Sequence, residues 1–213
     1  MKIKICGLKY PDNIRAIEAL SPQYMGFIFY GRSSRFVDDL DEGTLAAISP
    51  EIIKTGVFVN KSAEEIEALI DKYRFGAVQL HGSESPEFAA QFKGKVQVLK
   101  AFGVNEGFDF EQLKDYAGKV DYFLFDTKTD AHGGSGKTFN WDILNKYNLD
   151  VPFFLSGGLS LDNLNQIGKI AHPQFYGVDL NSRFEIEPGL KDIEKLKQAF
   201  SLIKQDNTHE IRS

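Results

Sequence analysis

Short apolar runs and longer stretches of helical spacing alternate along the whole chain. Runs prone to form strands are predicted at Lys2–Cys6, Tyr24–Phe29, Thr55–Val59, Ala77–Leu80, Val96–Phe102, Tyr122–Phe125, Pro152–Leu155 and Phe175–Leu180. The segments between them carry helix signals. Pro11-Asp12-Asn13 opens a helix with Ile14, Ile17 and Leu20 on one stripe. Ser62 and Glu65 fit a capping box ahead of Ile66, Leu69, Ile70 and Tyr73. Ser85-Pro86-Glu87 starts another helix, Asn140 is placed to cap one at Trp141, and Ile193, Leu196, Phe200 and Ile203 stripe the last.

Eight strand candidates, each followed by a helix candidate, imply a parallel sheet with helices outside it. The strands are largely apolar on both faces, as expected of a sheet covered on both sides. Eight such units predict an α/β fold, a single (β/α)8 TIM barrel of eight parallel strands with outer helices. A doubly wound open sheet is the alternative. No linker or low-complexity segment divides the chain, so one barrel domain is expected over residues 1–204, followed by a polar tail at 205–213 that should fray.

Composition narrows the function classes. The chain has 213 residues, 42% hydrophobic and 26% charged, which is ordinary for a globular protein. The net charge is −5 with lysines dispersed along the chain, which argues against a nucleic-acid surface while leaving room for a small anionic ligand. The single cysteine, Cys6, excludes an internal disulfide framework and suits a reducing cytoplasm. The first residues show no secretory leader pattern, and no apolar run approaches the ~18 residues of a membrane span, so no membrane partner is expected.

Residues 130–138, DAHGGSGKT, resemble the end of a P-loop, but Ala131 stands where its first glycine belongs. A P-loop turns directly from strand to helix so that helix N–H groups meet phosphate. Here the preceding strand ends near Asp126 and the next helix begins near Asn140, so the glycines lie within a long loop. Gly133, Gly134 and Gly136 are therefore expected to give hinge freedom to a lid that closes over the ligand.

In a barrel of this type the C-terminal strand ends face the active site. Those ends present Cys6-Gly7, Gly31 to Arg35, Asn60, Gln79 to Gly82, Lys100, Asp126-Thr127, Ser156-Gly157-Gly158 and Asp179 to Arg183. Taken singly, each has a structural reading: a cysteine in an apolar strand as a small hydrophobe, Asp126 as a loop cap, His81 as a satisfied structural histidine. Their shared position at one end of eight strands points to one site.

These motifs, taken in order, resemble phosphoribosylanthranilate isomerase, the isomerase of tryptophan biosynthesis. The likeness rests on Ile5-Cys6-Gly7-Leu8, Gly26-Phe27-Ile28-Phe29 with Ser33-Ser34-Arg35, Gly56 to Asn60 and Val78-Gln79-Leu80-His81-Gly82. It continues through Phe125-Asp126-Thr127 with Gly133 to Gly136, Ser156-Gly157-Gly158-Leu159, Gly177-Val178-Asp179 and Pro188 to Asp192. The resemblance implies an Amadori rearrangement, without metal or organic cofactor, of N-(5-phosphoribosyl)anthranilate to 1-(2-carboxyphenylamino)-1-deoxyribulose 5-phosphate. It implies Asp126 as the general acid that opens the furanose ring and Cys6 as the general base at C2. Arg35 would hold the anthranilate carboxylate, and the backbone around Gly157, Gly158, Asn181 and Ser182 the phosphate, with His81 and Asp179 also among the substrate-binding residues.

The chemistry suits those residue types. A ring oxygen leaving as an alcohol needs a proton donor, and a carboxyl shielded from water keeps its proton more readily. The C2 proton becomes acidic beside a cationic C1=N, so a thiolate suffices. A planar guanidinium matches a carboxylate.

The chain departs from the family pattern twice. Ser33-Ser34-Arg35 lacks the usual central proline, and Asn181-Ser182-Arg183-Phe184-Glu185 stands where Ser-Ser-Gly-Val-Glu is usual. Arg183 then either contacts the phosphate or turns away to Glu185 or Glu187. The oligomeric state is expected to be a monomer or weak homodimer. Two other readings share the fold: an aminoaldose isomerase of the histidine-biosynthesis type, which would carry an aspartate in place of Cys6, and a non-catalytic phosphoribosyl-binding barrel.

Overall fold

The computed structural model of the chain describes residues 1–127 and 139–209. Eight parallel strands close into a barrel in chain order. They are β1 (Lys2–Cys6), β2 (Tyr24–Ile28), β3 (Ile53–Phe58), β4 (Ala77–Leu80), β5 (Gln97–Val104), β6 (Tyr122–Thr127), β7 (Phe153–Leu155) and β8 (Phe175–Leu180). The first strand pairs with the last, Lys4 opposite Asp179, and this closure excludes the open sheet.

Helices α1 (Pro11–Glu18), α2 (Glu42–Ala47), α3 (Ala63–Tyr73) and α4 (Pro86–Ala90) follow the first four strands, and α5 (Ile193–His209) ends the fold. The capping box of α3 forms as expected, Ser62 accepting from Glu65 N–H and Glu65 from Ser62 N–H. Asp41 and Ser85 cap α2 and α4 with the side chain alone, accepting from Thr44 N–H and Phe88 N–H.

The connections after β5, β6 and β7 are shorter and tighter than the expected helices. They are 3₁₀ segments at Phe110–Tyr116, Trp141–Lys146 and Leu164–Lys169. Asn140 does cap its segment, accepting from Asp142 N–H, but runs of this length give only one or two turns. After β8 the chain makes a 3₁₀ turn (Ser182–Phe184) and a two-stranded antiparallel hairpin, β9 (Glu185–Glu187) with β10 (Leu190–Lys191), which the apolar pattern did not signal. Backbone helix α5 continues through residues 205–209, past the expected barrel boundary at 204. No helix among the described residues is long and apolar enough to cross a membrane.

Two apolar layers form. One lies between the strands and the outer elements and includes Ile3, Ile5, Phe27, Phe58, Val78, Phe123, Phe125, Phe153, Leu180 and Phe200. Burying side chains of this size contributes roughly 1.5–3 kcal/mol each. The other fills the barrel from below with Tyr24, Ala77, Leu99, Ala101, Leu124 and Phe154, against which Tyr122 and Tyr176 pack. Alternation along the strands then turns Lys4 and Cys6 to the same face, away from Ile3 and Ile5. Above the apolar floor the barrel is polar, with Lys4, Thr55, Gln79, Ser156 and Asp179 all buried.

Candidate active site

Cys6 ends β1, with only 2% of its surface exposed. It lies beside Gly26 of β2, where an added Cβ would come within 2.8 Å of Sγ, so glycine makes room for the thiol. Two residues below, Lys4 is fully buried and donates to Asp179 Oδ1 at 2.9 Å. Ser156 Oγ donates to the other oxygen of Asp179 at 3.3 Å. Burial pushes the Cys6 thiol up from its ordinary value; the Lys4 ammonium opposes this, Asp179 reinforces it, and the Lys191 ammonium opposes it. Burial alone would lower the Lys4 ammonium, but Asp179 and Cys6 hold it net above the usual lysine value.

Asp126 sits on β6, three positions from β1 around the closed ring. Its Oδ1 accepts from Thr127 N–H at 2.8 Å, and Oδ2 lies 3.6 Å from His81 Nε2. Gln79 Nε2 lies 2.7 Å from His81 Nδ1. With the amide donating, the ring proton sits on Nε2, the nitrogen facing Asp126. The carboxyl is less shielded than the sequence led one to expect, because its side chain opens to the mouth with 29% exposed. His81 is held from below. Buried Lys100 binds the carbonyls of Leu80 and Gly82 and pairs with Glu84 at 3.2 Å, and Glu84 accepts from Asn60 and Gly82 N–H.

Gly157 and Gly158 follow β7 with φ of +83° and +69°. A Cβ on Gly157 would fall 2.3 Å from Thr127 N and 2.5 Å from Asp126 Oδ1, so the β7 loop approaches the acid as only glycine permits. Thr127 Oγ1 and Gln79 Oε1 are buried without a hydrogen-bond partner among the described residues.

Arg35 faces the same mouth but is tied down. Its Nε and Nη2 donate to Glu185, with Nη2 to Oε2 at 2.6 Å. Glu185 also accepts from Lys191 Nζ at 2.6 Å and from Gly189 N–H at 3.1 Å. Burial alone would raise this carboxyl, but Arg35 and Lys191 hold it below the usual glutamate value. Burial pulls Lys191 down to about 8 in spite of Glu185. Lys191 donates in addition to Asn181 Oδ1 at 2.7 Å, and the Asn13 side chain clamps its backbone on both sides. Glu185 is thus engaged by Arg35 and Lys191, while Arg183 lies on the exposed side of the turn that Ser182 begins.

The structure therefore brings Cys6, Arg35, His81, Asp126, Gly157, Gly158, Asp179, Asn181 and Ser182 to one end of the barrel. The expected lid glycines Gly133, Gly134 and Gly136 lie outside the described residues. Sequence reasoning overlooked Lys4, Glu185 and Lys191 as parts of this site. The available signals were a lysine recurring within the KIKIC strand and the place of Glu185 and Lys191 within the motifs after β8.

Over nearly its whole length the chain is similar to known proteins. A relative from Parabacteroides distasonis named N-(5'-phosphoribosyl)anthranilate isomerase is 48% identical over 201 residues, covering 92% of this chain and 90% of its own. The phosphoribosyl anthranilate isomerase structure from Thermotoga maritima superposes with a TM-score of 0.82 at 30% identity, covering 96% of this chain and 99% of its own. A further phosphoribosyl anthranilate isomerase was solved in complex with reduced 1-(o-carboxyphenylamino)-1-deoxyribulose 5-phosphate; it superposes with a TM-score of 0.79 at 26% identity, over 96% of this chain and 99% of its own. The sequence model of the family described as N-(5'phosphoribosyl)anthranilate (PRA) isomerase matches residues 3–201, and the chain belongs to that family.

Proposed function

We propose that Asp126 and Cys6 carry the proton transfers by which this chain isomerises N-(5'-phosphoribosyl)anthranilate, within a single barrel domain over residues 1–204. The observation that carries the reading is the convergence of these two groups on one end of the closed barrel, three strand positions apart. Asp126 gives its proton to the furanose ring oxygen, the C1–O bond breaks, and the nitrogen lone pair forms the C1=N iminium. Cys6 as thiolate takes the C2 proton, and that electron pair forms C1=C2 and neutralises the iminium. Tautomerisation of the resulting enol to the ketone moves a proton from the C2 hydroxyl to C1. One proton passing from Cys6 to Asp126 through water resets the pair. Every atom of the substrate is kept, and the chemistry asks for no metal or organic cofactor.

The iminium matters for Cys6. Burial holds its thiol high, so the cation formed by ring opening beside it favours the thiolate when the base is needed. Arg35 commits Nε and one Nη2 hydrogen to Glu185, leaving three N–H groups to bind the anthranilate carboxylate. The phosphate is assigned to the backbone of Gly157, Gly158, Asn181 and Ser182, with His81 and Asp179 lining the sugar. Arg183, on the exposed side of that turn, is at most an outer contact to phosphate.

The reading is of a cytoplasmic enzyme, acting as a monomer or weak homodimer. Purified protein given freshly made substrate tests it through loss of the substrate's fluorescence. Binding of a product analogue without any turnover would leave only a phosphoribosyl-binding barrel.

A further inference from the structure

Lysine at position 4 is a costly filler for a barrel interior. An apolar residue of similar length would pack there without the desolvation that a buried ion pair carries. Lys4 is nevertheless fully buried, in register with Asp179 across the β1–β8 seam and bonded to it at 2.9 Å. Ser156 fixes the second oxygen of Asp179, so the carboxylate has one orientation. Lys4 and Cys6 lie two apart on the same strand and therefore on the same face. Among the described residues, the charges that act on Cys6 are Lys4 from its own strand, Asp179 from β8 and Lys191 from β10, while β2 pairs Gly26 with it. Of the two cations, Lys191 is already committed to Glu185 and Asn181.

We propose that the buried Lys4–Asp179 pair is a charge clamp that sets the protonation of Cys6: the ammonium, on the same face of β1 as the sulfur, stabilises its thiolate, and Asp179 holds that ammonium in place. Lys4 is then a positioning residue, acting through Cys6 without touching substrate. The inference rests on Cys6 being the base of the reaction. Lys4 offsets part of the burial that holds the thiol above its ordinary value, and the Asp179 carboxylate acts on the sulfur in the other direction. The two members of one ion pair thus act on Cys6 in opposite directions.

Cys6 is the sole cysteine of the chain, so the Cβ chemical shift of 13C-cysteine-labelled protein titrates it directly in the folded protein, with no substrate present. Lys4→Met is expected to move the native titration midpoint up by about one pH unit or more, and Asp179→Asn to move it down. In urea-unfolded protein both variants should coincide with wild type. If Lys4 only ties β1 to β8, both variants lower the unfolding midpoint equally and leave the thiol titration where it was. That result, or shifts in the same direction, overturns the proposal. Should Lys4→Met not fold, Asp179→Asn beside Lys4→Arg decides it: a downward shift in the first with none in the second is expected, and an unmoved or upward Asp179→Asn midpoint contradicts the clamp. Because this titration involves no turnover, it fails or holds independently of whether Cys6→Ser abolishes activity.

Discussion

Arg35 and Glu185, 150 residues apart in the chain, meet in a two-pronged ion pair at the mouth of the barrel, with Nε and Nη2 of the guanidinium on the two carboxylate oxygens. The pair is nearly dry, at 14% and 4% side-chain exposure, and Lys191 completes it from below. A residue proposed to receive a substrate carboxylate is therefore oriented beforehand by a protein carboxylate, which reduces the ordering that binding must impose.

Glu185→Gln should separate positioning from chemistry. It leaves Lys191 buried without its counterion, and breaking a buried pair in this way typically destabilises by about 3–5 kcal/mol. A lower urea midpoint is expected, together with a KM raised about tenfold and a kcat changed far less. A kcat loss as large as the KM effect would place Glu185 in the proton transfers instead.

The same carboxylate makes the fold acid-sensitive. Its folded value lies below the ordinary glutamate value, so its contribution is present above about pH 4.3, the unfolded value, and is lost as pH falls through the folded one. Urea midpoints compared at pH 6 and pH 3.5 should drop more steeply in wild type than in Glu185→Gln. Parallel slopes would remove Glu185 from the acid transition.

Gly157→Ala tests the approach of the β7 loop to the acid. The new methyl would meet Thr127 N and Asp126 Oδ1 at 2.3 and 2.5 Å, on a backbone with φ +83°. A stability loss of about 1–3 kcal/mol is expected from the strained backbone, with kcat reduced more than tenfold as Asp126 is pushed aside. Wild-type turnover in a folded Gly157→Ala protein would show that the loop does not position the carboxyl.

Local signals carried the scaffold. The Ser62–Glu65 capping box, the capping Asn140 and the spacing of eight apolar runs each act within a few residues, and each is found where the chain pattern put it. The polar ends of the strands likewise mark the mouth, because strand direction alone decides which end they share. What escaped depends on partners far apart in sequence. Lys4 reads as an ordinary polar position in an alternating strand until Asp179, 175 residues later, comes into register beside it. Glu185 and Lys191 lie on a hairpin of three and two residues, too short for any periodicity to show. The 3₁₀ segments after β5, β6 and β7 have helical spacing over so few residues that the pattern does not separate them from α-helix.

Steady-state turnover of N-(5'-phosphoribosyl)anthranilate by wild type, Asp126→Asn and Cys6→Ser tests the assignment of acid and base most directly. The two substitutions keep size and shape, so folding should be nearly unchanged. A kcat lowered by about 10²–10⁴-fold in each, with KM little altered, is the expected result. Turnover close to wild type in either variant would contradict that residue's part in the proton transfers.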